Sequence, residues 1–296
     1  MSKVLFAARS EHFPYRERTF LYDDTPVMYF DHGAGPAIVF IHGLGCNLTH
    51  FEHIAPPLAA LGYRVCGLDL PGFGLSGKPH RTYTVRWLAG AVTALLDTLC
   101  LAQATLVGHS LGGLVAADVA IHDAARVERL VLINSAGLFQ MPLPFRWVAR
   151  TMLRPELVAM ALERAARLLL EKRVFEEKNA NVVKFIDQCT TRPDPRYVKD
   201  LTRVLYSMRH ELTQYHLFDE VKRLTHPTLV MYGAQDKLLP VDKVPKWAGQ
   251  LPAGELEVIE QCGHMPIIER PEAVVAKMTP FLARTAATAT LRAKSA

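Results

Sequence analysis

Residues 104–117 read "ATLVGHSLGGLVAA", an apolar β-branched run, then a serine set among glycines, then a second apolar run. The unbroken apolarity of "ATLVG" predicts a strand buried on both faces, and "LVAADVAIHDAA" from Leu114 onward predicts a helix packed beneath the same sheet. Gly108, Ser110 and Gly112 satisfy G-x-S-x-G within the strand, turn and helix that this motif requires. So sharp a turn puts the serine in a strained conformation, and the flanking glycines have no side chains to collide with the crossing backbone. The helix start then aims amide N–H groups at any anion formed beside Ser110. A small-residue turn made for packing would look the same locally, so the rest of the chain must decide.

Outward from this stretch, short apolar runs recur at "VMYFD" (27–31), "AIVFI" (37–41), "RVCGLD" (64–69), "RLVLIN" (129–134), "TLVMYG" (228–233) and "ELEVIE" (255–260). Helical spacing lies between them. Residues 85–100 place Trp87 or Leu88, then Ala91, Leu95 and Leu99, on one face, and Pro271 opens a helix with apolar positions repeating at Val274, Val275, Met278, Phe281 and Leu282. Strands alternating with helices predict an α/β fold with a mostly parallel, doubly wound sheet. The rhythm breaks from 138 to 225. There "RPELVAMALERAARLLLEK" and "DPRYVKDLTRVLYSMRHEL" read as helices, with Tyr197, Leu201, Val204, Leu205, Met208 and Leu212 in one stripe. The predicted organisation is a core of residues 1–137 and 226–296, interrupted by an all-helical insertion at 138–225.

Composition narrows the function classes. Half of the residues are hydrophobic and 21% are charged, as in ordinary globular proteins. The first twenty residues carry charges throughout and no long apolar core, and no window nears the roughly 18 apolar residues of a membrane span, so a soluble, cytoplasmic protein is expected. Cys46, Cys66, Cys100, Cys189 and Cys262 form no CxxC pair, which predicts reduced thiols and no zinc. The net charge of +5 falls in the insertion, where sixteen Lys/Arg face eleven Asp/Glu while the remainder is balanced. No dense basic stripe for nucleic acid results, although an acidic substrate or partner remains compatible.

A serine hydroxyl becomes nucleophilic when a base takes its proton and a third group orients that base. His264 in "QCGHMP" and Asp236 in "GAQDKLLP" both follow predicted strands directly, at the sheet edge where open parallel sheets gather ligands. Of twelve histidines, His264 alone combines such a loop with a position after both Ser110 and Asp236. His50 and His53 lack an acidic or cysteine partner cluster for a metal. His42 is read as stabilising its own loop, and His109 as pointing away from the serine. Asp242 and Asp219 sit in helical or linker surroundings, Asp69 in "DLPGFG" reads as a loop-shaping residue, and "RLVLIN" ends in Asn134 and Ser135 rather than a carboxylate.

The order Ser110, Asp236, His264, together with "IHGLG", "DLPGFGLS", "GHSLGG", "GAQDKLLP" and "GHMP", resembles the α/β-hydrolase superfamily along nearly the whole chain. The resemblance implies a serine hydrolase with the backbone amides of Leu44 and Leu111 as oxyanion donors, a helical cap at 138–225, and no cofactor or metal. Met141, Leu143, Trp147, Met208 and Met265 are the candidate pocket residues. They suit an apolar acyl or aromatic group. A carboxylesterase is the expected activity. Carbon–carbon hydrolases of meta-cleavage products resemble the chain too, but they usually carry Asn before the nucleophile and Trp after the histidine, where His109 and Met265 stand here. Dehalogenases and epoxide hydrolases of this fold use Asp where Ser110 stands. Haloperoxidase-like relatives commonly have Trp at the Leu44 position. An esterase meeting an acyl-carrier protein through a basic cap is compatible with the resemblance, as is a non-enzymatic binding protein of the same fold.

Overall fold

The computed structural model describes residues 9–10, 12–138, 166–190, 195–214, 220–239 and 241–284. Its strands are β1 (Glu17–Tyr22), β2 (Thr25–His32), β3 (Ala37–Ile41), β4 (Arg64–Leu68), β5 (Ala104–His109), β6 (Val127–Ile133), β7 (Thr228–Gly233) and β8 (Gly254–Ile259). They form one sheet in the order β1-β2-β4-β3-β5-β6-β7-β8. β1 and β2 run antiparallel to their neighbours, and every pairing from β4 to β8 is parallel.

β3 shows why the apolar runs are continuous. Val39 and Ile41 join a core with α2 (Val85–Thr98) and α3 (Leu111–His122), whereas Ile38 and Phe40 join a second core with α1 (Ala55–Ala60) and the last described helix, Pro271–Leu282. Each side chain is essentially sequestered, a burial contributing about 1.5–3 kcal/mol for residues of this size. α3 is buried on all sides from Leu111 to Ile121 and is apolar apart from Asp118, whose carboxylate pairs with Arg86 at 2.7 Å. α2 opens on the Thr84 hydroxyl, which accepts from Trp87 N.

Within 138–225 the described residues contain a π-helical turn (Leu170–Val174), α4 (Ala180–Thr190) and α5 (Pro195–Gln214). In the α5 stripe Leu201, Val204 and Met208 are buried, while Leu205 and Leu212 are partly so; the Tyr197 side chain lies outside the described set. α5 is tied to the core at the start of α2, where Ser207 Oγ accepts from Tyr83 N at 2.9 Å and a Glu211 carboxylate oxygen accepts from Val85 N at 2.9 Å. After β7 come α6 (Val244–Ala248), α7 (Pro266–Glu269) and α8 (Pro271–Leu282). No described helix is long and apolar enough to cross a membrane.

Candidate active site

The loops after β3, β5, β6, β7 and β8 leave the sheet at its C-terminal edge. Ser110 follows β5 at φ 53° and ψ −118°, a left-handed conformation that costs a non-glycine residue about 1–3 kcal/mol and persists only when its surroundings impose it. The surroundings do so here. Ser110 N donates to Ile133 O at 3.0 Å, and Ser110 O accepts from Gly113 N and Ala136 N, each at 3.0 Å. A Cβ on Gly108 would lie 2.3 Å from Gly112 O, and one on Gly112 would lie 2.0 Å from Ile41 O, so the elbow exists because both positions are bare.

Ser110 Oγ lies 3.1 Å from His264 Nε2, and His264 Nδ1 lies 2.7 Å from an Asp236 carboxylate oxygen. A carboxylate only accepts, so Nδ1 donates to Asp236 and Nε2 is left to accept the serine proton. The other Asp236 oxygen accepts from Leu238 N at 2.7 Å and Leu239 N at 3.1 Å. Burial pushes the Asp236 carboxyl up, but the His264 bond and charge, the Asn134 amide and the Leu238 N–H outweigh it and leave the group below the usual carboxylate range.

Two residues outside the sequence-derived set hold this acid. Asn134, which the sequence offers only as a strand end lacking a carboxylate, donates from Nδ2 to Asp236 at 2.7 Å and accepts from Gly233 N through Oδ1 at 3.2 Å. It stands at φ 41°, a region asparagine tolerates better than most residues. Gln235 N donates to Cys262 O and Gln235 Oε1 accepts from Cys262 N, each at 2.9 Å, which zips the acid loop to the histidine loop. A turn residue before an aspartate carries no sequence signal of that role.

His109 Nε2 donates to the His264 carbonyl at 2.8 Å, with the rings 5.2 Å apart between centroids. Burial, helped by the nearby His264, drives the His109 pKa down to about 3, so the ring is neutral. His42 accepts from Leu70 N, and Asp69 accepts from Leu48 N and Leu75 N, so both shape loops at the strand edge. A Cβ on Gly43 would come within 3.0 Å of Ser110 Cβ, which brings the loop bearing Leu44 against the elbow. Leu111 opens α3, whose first N–H groups have no acceptor within the helix.

Ser110 and His264 sit in a cavity of about 250 Å³ whose wall includes Leu44, Cys46, Val174, Leu201, Leu205 and Met265. Burial pushes the Cys46 thiol up to about 12, so it serves as apolar wall rather than as a nucleophile. Of the remaining candidate pocket residues, Met141, Leu143 and Trp147 lie outside the described residues, and Met208 turns into the core beside α2 and α3 instead of lining the cavity. Leu201 and Leu205, four residues apart on α5, reach the cavity, whereas Val204 and Met208 on the same stripe are packed within the core cluster.

A strained serine, a histidine and a buried carboxylate on the loops after β5, β8 and β7 define a hydrolase-type arrangement on a doubly wound sheet. The chain belongs to the alpha/beta hydrolase fold family, whose model matches residues 36–271. It is 31% identical to 2-hydroxymuconate semialdehyde hydrolase of Pseudomonas sp. (strain CF600), over 88% of this chain and 91% of that one. It is 29% identical to the pimeloyl-[acyl-carrier protein] methyl ester esterase of Aeromonas hydrophila, over 84% and 96%. Among solved structures it resembles a membrane phospholipase A, a bacterial virulence factor, with a TM-score of 0.78, 26% identity, and coverage of 90% and 86%. The chain is thus an α/β-hydrolase with esterase and carbon–carbon hydrolase relatives.

Proposed function

We propose that the chain is a serine carboxylesterase acting on small to medium esters of apolar acyl or aromatic groups. The observation that carries this reading is the hydrogen-bonded row Ser110–His264–Asp236 opening into an apolar cavity. His264 Nε2 takes the Ser110 proton as Oγ attacks the ester carbonyl. The N–H groups of Leu44 and Leu111 receive the oxyanion, a role worth about 3 kcal/mol per donor in comparable sites. Asp236 fixes the His264 tautomer and offsets its positive charge; His264 then protonates the departing alcohol, and water releases the acyl group by the reverse roles. No cofactor enters this sequence.

The nature of the wall supports an uncharged substrate. Apart from the histidines, the described lining residues carry no ionisable side chain but the Cys46 thiol, whereas a carboxylate-bearing dienol would call for a cation there. The carbon–carbon hydrolase relative makes that chemistry the second reading, and the acyl-carrier esterase relative makes a carrier-borne methyl ester the third. A p-nitrophenyl ester chain-length series run beside a meta-cleavage dienoate separates the first two, and faster turnover of the dienoate would overturn the ester assignment. A fluorophosphonate probe should label Ser110, and absence of labelling in folded protein would favour a non-enzymatic binding role. Ser110→Ala should lower kcat by about a million-fold if the three residues act as a unit.

A further inference from the structure

Glu269, at the end of α7, is only 1% exposed, and the described residues offer it no Lys or Arg ion pair. A buried charge must be met by dipoles or counter-charges, and here backbone amides do it. One oxygen accepts from Glu176 N at 2.8 Å and Glu177 N at 2.6 Å; the other accepts from Gly263 N at 2.8 Å and, more weakly, from the Cys262 thiol at 3.7 Å. The first two amides lie just beyond the π-helical turn. The third immediately precedes His264.

The same two segments touch directly. His264 N donates to Val174 O at 2.7 Å, and the approach is so close that a Cβ on Gly263 would lie 2.4 Å from Val174 O and 3.0 Å from Glu176 N. Asn179 Nδ2 adds a bond to Glu269 O at 2.6 Å. Val174 lines the cavity. A continuous path therefore runs from cavity wall to imidazole through residues 174–177, the Glu269 carboxylate and the backbone at 263–264. A glutamine at 269 would keep the shape but turn an NH₂ donor toward at least one of the three N–H groups.

We propose that Glu269 is a positioning residue for His264, clamping residues 174–177 onto the histidine loop so that the wall at Val174 and the imidazole move as one body. The kinetic consequence rests on the esterase reading; the mechanical one does not. In the wild-type chain, the amides of Glu176, Glu177, Gly263 and His264 should exchange hydrogen through one shared opening, with opening free energies that coincide. Clearly unequal opening energies, those of 176–177 against those of 263–264, would overturn the clamp without any variant.

Glu269→Gln should accelerate exchange at all four amides together. Measured per fluorophosphonate-titrated serine, its kcat toward a p-nitrophenyl ester should fall about tenfold or more, with KM changed less than about threefold and the acid limb of the kcat profile displaced. Wild-type kcat per titrated site with an unmoved pH profile would overturn the proposal, since lost stability alone lowers the titrated fraction but not its turnover. Gly263→Ala keeps the carboxylate but wedges the segments apart, so it should reproduce both effects; wild-type exchange and kcat in that variant would also overturn the clamp. A wild-type chain with concerted exchange but no esterase activity would refute the functional reading and leave the clamp standing.

Discussion

At the scale of single residues, His109 is the group whose burial has a measurable thermodynamic signature. Its folded pKa of about 3 lies below the ordinary value of about 6.5, so between those limits the unfolded chain binds a proton that the native ring refuses. The contribution is neutral above about pH 6.5 and turns destabilising as pH falls, by about 1.4 kcal/mol per unit. Urea unfolding should thus show wild type losing about 2 kcal/mol more than His109→Gln between pH 6.5 and 5. Equal losses would refute the assignment. Asp236 shows the same sign at lower pH: its carboxyl is depressed, so its stabilisation is present above the ordinary carboxylate range and disappears as pH falls through the native value. Asn134→Ala removes one donor to that carboxylate and should reduce kcat about tenfold with little change in KM, as steady-state kinetics would reveal. The serine, acid and histidine candidates were legible in the sequence because each follows a strand inside a recognisable phrase. Asn134, Gln235 and Glu269 were not, because what matters about them is which distant atoms they meet.

At the scale of elements, the apolar runs from "VMYFD" to "ELEVIE" agree with β2 to β8 within about two residues; β3 to β7, buried on both faces, write their burial directly into composition, and the edge strand β8 still shows in its alternating apolar residues. β1 escaped that reading. It is an edge strand with Phe20 as its one buried residue, and "ERTFLY" mixes charge with apolarity as a half-exposed edge does. In 138–225, α5 coincides with the stretch "DPRYVKDLTRVLYSMRHEL" read as helical, whereas α4, with Val182, Phe185, Ile186 and Cys189 buried and Asn179 capping Val182 N, was not singled out, and the π-helical turn before it has no comparable pattern. α5 should loosen when its tie to α2 is cut. Glu211→Ala leaves Val85 N without its acceptor and should cost about 1–3 kcal/mol, with faster proteolysis inside α5 than elsewhere.

At the scale of the whole molecule, the cavity wall includes the exposed Leu169 and Leu238, and among the described residues Lys237 pairs with Glu176 and Arg167 with Glu171. Hydrolysis of a small neutral ester should change less than about twofold in kcat/KM between 50 and 500 mM salt, because an uncharged substrate gives the protein's field little to steer. A steep fall with salt would point instead to an acidic carrier. The net excess of positive charge in 138–225 was legible from the sequence; which of its described cations meet carboxylates was not. Ser110 and His264 are 154 residues apart in the chain, and they meet only because β5, β6, β7 and β8 pair in sequence through parallel crossovers. Such long-range pairings are slow to form. Enzymatic competence thus dates the completion of the sheet: during refolding, helical signal should return first and fluorophosphonate reactivity last, making the probe a clock for the final strand to dock.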